Sequence, residues 1–387
     1  MNMTSGQETA YKHICQWYDE KLSMVFRLGG AAGTGKSWLI PLIAEHVGNR
    51  HCLFMTPTGK AANRLIKSGI DAHTIHSQIY QPTHPIAAPR IKDMSVTDIY
   101  ERFFAYAASD YKEEEDTVCE YKLKPPESFY KVKLFIIDEA SMVGKQLLAD
   151  LLTFNVPILL VGDPNQLDPV NDETVFDKCD YYLTEIVRQA YNSPVIWLSQ
   201  QILSGALPNG MFGNCQVRTG GISDNEFFYA NQVLTDTNAT RDSLNKYMRL
   251  LQFNGKRQRN LFVEGDKIIC RTNSLITSDL GFSLTNGAQG IIKTVMRSED
   301  RGSLITCSMH TDELGNFDFV GTAFPERFSP ECRPPKIEYA YAITVHLSQG
   351  SEWDNVIYVL NRRFYTKSGM YTAVTRAKHS VLVAITE

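Results

Sequence analysis

The chain lacks any close pairing of cysteines. Its eight cysteines stand singly at Cys15, Cys52, Cys119, Cys179, Cys215, Cys270, Cys307 and Cys332, with no C-x-x-C pair. That removes the common zinc and dithiol patterns and points to reduced thiols in a cytoplasmic setting. Long apolar runs are also missing. The longest, such as 156–161, are far too short to span a bilayer, and the polar stretch 1–12 is unlike a secretory signal, so no membrane partner is expected. There is no excess of basic charge. The net charge is -4, so any contact with a polyanion must come from a local groove and not from attraction by the whole molecule. No short-period repeat is present, which excludes a solenoid. What remains is an ordinary globular composition, 43% hydrophobic over 387 residues, enough for about two or three domains.

The most informative feature present is a loop suited to phosphate. Gly30-Ala31-Ala32-Gly33-Thr34-Gly35-Lys36-Ser37 matches G-x-x-x-x-G-K-[ST], follows the apolar run 24–28 and precedes a helix-like stretch at 38–47. Strand, loop and helix in that order are the context this pattern requires. Gly30, Gly33 and Gly35, with Thr34 among them, let backbone N–H groups turn toward phosphate oxygens. Lys36 carries charge to the β- and γ-phosphates, and the Ser37 hydroxyl can ligate Mg²⁺. The helix that opens here adds its positive dipole end. ATP with Mg²⁺ is the expected ligand. A glycine-rich turn that binds nothing is the competing reading, and the flanking strand and helix weigh against it.

Short apolar runs at 24–28, 52–55, 134–137 and 158–161 alternate with amphipathic stretches. This is the pattern of a parallel sheet covered by helices. A second series begins near 181 and includes 232–234, 356–360 and 381–385. The fold expected is α/β, with two parallel-sheet lobes and an insertion in each. The first lobe takes 1–77 and 130–178 and carries the insertion 78–129, where prolines gather and Glu113-Glu114-Glu115-Asp116 forms an acidic run read as a solvated face. The second takes 179–260 and 337–387. Its insertion, 261–336, holds β-like segments at 267–270, 288–295 and 303–309 with Asn286-Gly287 as a turn signal, and a small β-barrel is predicted there.

The run 134–137 ends on Asp138 and Glu139, which places two carboxylates at the carboxyl edge of the sheet, where such folds bind ligands. Asp138 would hold Mg²⁺, while Glu139 would accept a proton from the attacking water or orient it. The run 158–161 enters Gly162-Asp163-Pro164-Asn165-Gln166, which can set Gln166 beside a γ-phosphate or can be a plain polar turn.

Several blocks in order resemble a superfamily 1B helicase of the RecD-like and Dda-like kind, of the type many phages carry. They are G-G-A-A-G-T-G-K-S, T-P-T-G-K-A-A from Thr56, T-I-H-S from Thr74, I-I-D-E-A-S, V-G-D-P-N-Q-L, E-I-V-R-Q from Glu185, V-H-L-S-Q-G-S-E-W from Val345 and Y-T-A-V-T-R-A-K from Tyr371. The resemblance implies RecA-like lobes and ATP-driven movement along single-stranded DNA, 5′ to 3′, with unwinding of duplexes that carry a tail. It implies that Gln7 reads adenine and that Arg188 and Arg376 reach the γ-phosphate from the second lobe. Gln349, Gly350 and Glu352 would line the nucleotide, and Asp163 and Gln166 would couple it to the strand.

For the strand itself, Pro57 and Thr58 lie where a strand gives way to a helix, so hydroxyl and backbone N–H groups can hold phosphates without reading bases. Thr74, His76 and Ser77 form a second polar patch. Thr237, Asn238, Arg241, Thr344 and His346 resemble the family's contacts to the same strand, although helix capping accounts for Thr237 and Asn238 as well. Phe103, Phe104, Tyr106 and Tyr80 are candidates for stacking or for a wedge in the first insertion. Lys256, Arg257 and Arg259 read as a solvated turn. His73 and His76 lack a third metal ligand, and a metal role is rejected. Replication or recombination proteins are conceivable partners, and the chain is expected to act as a monomer. An RNA helicase and a P-loop kinase or signalling NTPase are the alternatives.

Overall fold

A computed structural model describes residues 3–82, 121–187, 192–272, 286–298, 305–311, 315–323 and 335–386. It falls into two compact units: Met1–Ile79 with Leu123–Arg241 and Ile343–Glu387, and Tyr80–Lys122 with Asp242–Ala342. The candidates Phe103, Phe104, Tyr106 and Arg188 lie outside the described residues. No helix among the described residues is long and apolar enough to cross a membrane.

The first unit's strands up to residue 183 are β1 (Val25–Gly30), β2 (Cys52–Thr56), β3 (Ala72–Thr74), β6 (Leu134–Ile137), β7 (Ile158–Gly162) and β8 (Tyr181–Leu183), while the short pair β4 (Tyr80–Pro82) and β5 (Tyr121–Leu123) falls almost wholly in the second unit. Six of them form a sheet in the order β3-β2-β6-β7-β1-β8, with parallel pairing throughout. Every residue of β6 and β7 is buried, as continuous apolar runs in a doubly covered parallel sheet require. One side packs on the helices Ser5–Glu20 and Lys36–Val47 through Ile14, Trp17, Leu28, Leu39, Ile43 and Leu159. The helix Ser5–Glu20 starts at a capping box, in which Thr4 accepts from the Gln7 N–H and the Gln7 side chain accepts from the Thr4 N–H. One expected boundary is corrected here. The strand Tyr181–Leu183, assigned from sequence to the second lobe, pairs in parallel with β1, so the first sheet runs past 178.

The same unit holds a second sheet, built from β9 (Gly210–Phe212), β10 (Cys215–Thr219), β11 (Gln232–Thr235), and, after the second unit's strands, β17 (Ala342–Thr344), β18 (Trp353–Asn361) and β19 (Ala377–Thr386), in the order β17-β11-β18-β19-β10-β9. β11, β18, β19 and β10 run parallel, and β9 closes one edge antiparallel. Two parallel-sheet α/β lobes are therefore present, as expected.

The second unit contains β12 (Lys267–Cys270), β13 (Gln289–Ser298), β14 (Ile305–Thr311), β15 (Gly315–Gly321) and β16 (Ile337–Tyr339), an antiparallel sheet ordered β15-β14-β13-β12-β16. Phe262, Ile268, Ala288, Ile292, Phe319 and Ile337 make its core. Where a barrel was expected, the outer strands meet at a single bridge, Thr322 to Lys336, and no further pairing between them is seen among the described residues.

Candidate nucleotide site

The loop after β1 opens the helix Lys36–Val47. Gly33 and Gly35 have φ of 81° and 73°, in the left-handed region, and a side chain at Gly35 would meet Gln7 Nε2 at 2.5 Å. No side chain caps this helix, so its first N–H groups are left for a ligand. Lys36 Nζ folds back to donate to the Gly30 carbonyl at 2.5 Å and to that of Ala31 at 3.0 Å. Thr34 donates to the Ala31 carbonyl at 2.8 Å.

Asp138 and Glu139 leave β6 at its carboxyl end, both buried. Glu139 has φ of 55°, a left-handed value for a residue with a side chain, and such strain concentrates at sites where a group must point one way. Ser37 Oγ donates to Asp138 Oδ2 at 3.1 Å. Burial pushes the Asp138 carboxyl up, and neighbouring Glu139 adds to it. Burial acts on Glu139 in the same sense, but the positive charges of Arg64, Arg376 and Lys36 outweigh it and hold Glu139 below the ordinary carboxylate range.

Arg64 was not foreseen. It lies on the helix Gly59–Lys67, two residues beyond the T-P-T-G-K-A-A block, and joins three carboxylates: Glu139 Oε1 at 2.8 Å, Asp138 Oδ2 at 3.6 Å and Glu352 Oε1 at 3.6 Å. Only its place on the helix following β2, beside β6, could have signalled it. The structure thus brings Glu352 to the same cluster as Asp138 and Glu139.

Arg376 is 3% exposed, with Nε donating to the Thr372 carbonyl at 3.1 Å and Nη1 to that of Ser351 at 3.3 Å. The helix Lys367–Val374 just before it is bound to the first sheet's loops. The Tyr371 hydroxyl accepts from the Ala32 N–H and donates to Asp163 Oδ2, and Thr372 Oγ1 accepts from the Leu167 N–H at 3.0 Å. Gln349 Nε2 donates to the Leu167 carbonyl at 3.1 Å. Gly350, with φ of 75°, lies so close to Thr58 that a side chain would meet Thr58 Oγ1 at 3.0 Å. Gln7 sits beside the phosphate loop, where Nε2 donates to the Thr34 carbonyl at 3.1 Å and Oε1 accepts from the Thr4 N–H, which leaves one N–H and one lone pair of the amide for a ligand.

The donor set here suits a triphosphate with a hard cation. Gln166 Oε1, Ser141 Oγ and Ser351 Oγ are buried with no hydrogen-bond partner, and buried polar atoms rarely stay so without a ligand or water. Ser37 Oγ and Asp138 Oδ2 form an oxygen donor pair of the kind Mg²⁺ takes.

The residues expected on the strand share one local device. The hydroxyls of Thr58, Thr74, Thr237 and Thr344 accept from the N–H of Ala61, Ser77, Thr240 and Leu347, so each caps a turn or helix. Asn238 is the first residue of the helix Asn238–Gln252, and Pro57 joins β2 to the Thr58 cap. His76 and His346 are partly buried, and that burial keeps both below the usual histidine range.

A family model of an AAA domain matches residues 2–213, and one of a UvrD-like helicase C-terminal domain matches 339–384. The ATP-dependent RecD2 DNA helicase of Deinococcus radiodurans is 28% identical over 382 residues, covering 91% of this chain and 45% of that protein. The chain therefore spans about half the length of that relative. The ATP-dependent DNA helicase Pif1 of Campylobacter jejuni is 23% identical over 409 residues, with 90% and 86% covered. Among solved structures, the Pif1 helicase from Bacteroides in complex with ADP-AlF3 and single-stranded DNA shares the fold, with a TM-score of 0.57, 18% identity and 99% and 92% coverage. With more than half of its length matched by the AAA domain, the chain belongs to that family, and it is similar in sequence to RecD2 and Pif1 helicases.

Proposed function

We propose that this protein is an ATP-dependent DNA helicase that moves 5′ to 3′ along single-stranded DNA and unwinds duplexes bearing a single-stranded tail. One observation carries the reading. Glu139, at the end of a strand of the first sheet, lies in the field of Arg376, which belongs to the second, and of Lys36 in the phosphate loop. Hydrolysis needs that combination, because a carboxylate must take or orient a water proton while cations neutralise charge developing on the transferred phosphoryl group.

On this reading Glu139 is the general base and Gln166 helps to orient the water. Arg376, together with Arg188, stabilises the transition state. Ser37 and Asp138 would hold Mg²⁺, which when bound spreads the phosphate charge. Gly30, Gly33, Thr34, Gly35 and Lys36 cradle the phosphates, Gln7 contacts the adenine, and Gln349, Gly350 and Glu352 complete the nucleotide side. The caps at Thr58 and Thr237 present helix N-termini that can grip backbone phosphates. Pro57, Thr74, His76, Asn238, Thr344 and His346 continue that face. The insertion 78–129 separates the strands, and the protein works as a monomer in the cytoplasm. The relatives' names, and the single-stranded DNA in the Bacteroides Pif1 complex, support DNA over RNA as substrate.

Strand displacement on DNA duplexes with a 5′ or a 3′ tail, and on matched RNA duplexes, tests substrate and direction together. Unwinding of the 5′-tailed DNA alone is expected. Robust ATP hydrolysis indifferent to any polynucleotide would overturn the proposal.

A further inference from the structure

The second unit carries a cavity of about 660 Å³ that none of the motif residues lines. Its floor is built and neutral. The Arg249 guanidinium makes paired bonds to fully buried Asp266 at 2.8 and 2.9 Å and stacks over the Tyr339 ring at 4.7 Å, while Tyr341 and the Val263 N–H fix the same carboxylate. Its rim is cationic. Lys246 projects from the helix Asn238–Gln252, which ends in a reversal with Asn254 and Gly255 at φ of 51° and 75°. The Gly255 N–H bonds back to the Leu250 carbonyl, and this turn returns Lys256 and Arg257 to the cavity. All three rim cations are exposed, none has an ion-pair partner among the described residues, and no carboxylate lines the cavity. Tyr247, with 43% of its surface exposed, and Leu250 complete the wall.

Cations near a helix C-terminus stabilise the helix dipole, and that is sufficient reason for one of them. It does not call for three cations around a cavity with two aromatic walls in a chain whose net charge is -4. Unpaired cations with exposed aromatic rings are the combination that holds single-stranded nucleic acid without reading sequence. We propose that this cleft is a second anchoring site for single-stranded DNA, built from residues other than the capping threonines. The proposal rests on the helicase reading. Lys256 and Arg257, which from sequence look like a solvated turn, become phosphate contacts.

The test is the affinity of labelled oligothymidylate, measured by fluorescence anisotropy across a salt series without ATP. It compares wild type with the combined variant Lys246→Gln, Lys256→Gln, Arg257→Gln and with Tyr247→Leu. Each phosphate contact on a single strand contributes about 0.7 to the salt slope, so losing three should flatten it by about 2. We expect that flattening, affinity at least about tenfold weaker at low salt, convergence at high salt, and unchanged ATP hydrolysis without polynucleotide. Tyr247→Leu should weaken binding about equally at all salt concentrations. Wild-type affinity and slope in the charge variant overturn the cleft and leave the helicase reading standing. Absence of oligonucleotide binding and of stimulated hydrolysis in the wild type overturns both. Loss of oligoglutamate binding with oligothymidylate binding intact also overturns the proposal, in favour of an acidic protein partner.

Discussion

The Tyr371 hydroxyl donates to Asp163 Oδ2 at 2.5 Å and accepts from the Ala32 N–H at 2.8 Å, so one side chain from the C-terminal part of the chain joins two loops of the first sheet. Burial, then the Asp163 charge, pushes its phenol far above the usual tyrosine range, which keeps it protonated and donating. The helix that carries it leads directly to Arg376. Replacement by Phe keeps the packing and leaves Ala32 N–H and an Asp163 oxygen short of a partner, a loss of about 1–3 kcal/mol. If this bolt positions Arg376, Tyr371→Phe should lower polynucleotide-stimulated kcat about tenfold, equivalent to about 1.4 kcal/mol in the barrier, with a smaller change in KM for ATP. Steady-state hydrolysis separates the two, and a kcat within twofold of wild type would sink the idea.

Arg64 is the shared partner of Glu139, Asp138 and Glu352. Removing it leaves two buried carboxylates with less positive charge, and Arg64→Ala should cost about 1–3 kcal/mol of stability in urea melts. Arg64→Lys restores charge but not the planar fork, and should recover only part of the loss. With the nearest cation gone, Glu139 should move up toward its ordinary value. The acid limb of the hydrolysis profile should then shift to higher pH in Arg64→Ala. A limb that stays in place would assign that titration to another group.

Much of this site was legible because its signals are local. The phosphate loop, the apolar run of β6 into Asp138-Glu139 and that of β7 into Asp163 each specify their own surroundings. Arg64 was not legible, since its partner Glu139 is 75 positions away and nothing in the helix spells the meeting. Tyr371 lay inside a quoted block, but its partners are 339 and 208 positions distant, and only the tertiary fold shows what the hydroxyl does. The β8 boundary failed for a different reason. A three-residue strand carries too little periodicity to say which sheet it will join. The threonines were read for phosphate and are caps, and the two roles coincide at a helix N-terminus.

Gly350 ties the C-terminal motif to the helix capped by Thr58. Alanine there meets two costs: a left-handed φ of 75°, about 1–2 kcal/mol for an L-residue, and a side chain 3.0 Å from Thr58 Oγ1 and 3.3 Å from Ala61 Cβ. Gly69 is a fitted control, with φ of 87° and nothing within 4 Å. Both Gly350→Ala and Gly69→Ala should lose the conformational term in denaturant melts, while only Gly350→Ala should also weaken oligonucleotide binding by displacing the cap. Equal binding by the two variants would detach Gly350 from the Thr58 helix in function.

A pH-dependent contribution to stability sits at the helix Asp224–Tyr229. Glu226 closes the capping box of the helix Asp224–Tyr229 with Ser223 and receives a bond from Arg218 at 2.8 Å. The Arg218 bond first, then the Ser223 N–H, pulls its carboxyl down to about 2 from an ordinary 4.5. Because the folded value is the lower one, the unfolded chain binds the proton more readily. The contribution is therefore complete above the unfolded value and is lost as pH falls from 4.5 through about 2. Glu226→Gln should be less stable than wild type by about 1 kcal/mol at neutral pH, the usual worth of such a cap. The difference should shrink steadily on acidification through that window and vanish at its lower end. Paired urea melts at a series of pH values read it directly, and a gap that is constant across the window would mean that the charge of Glu226 does not contribute to the cap.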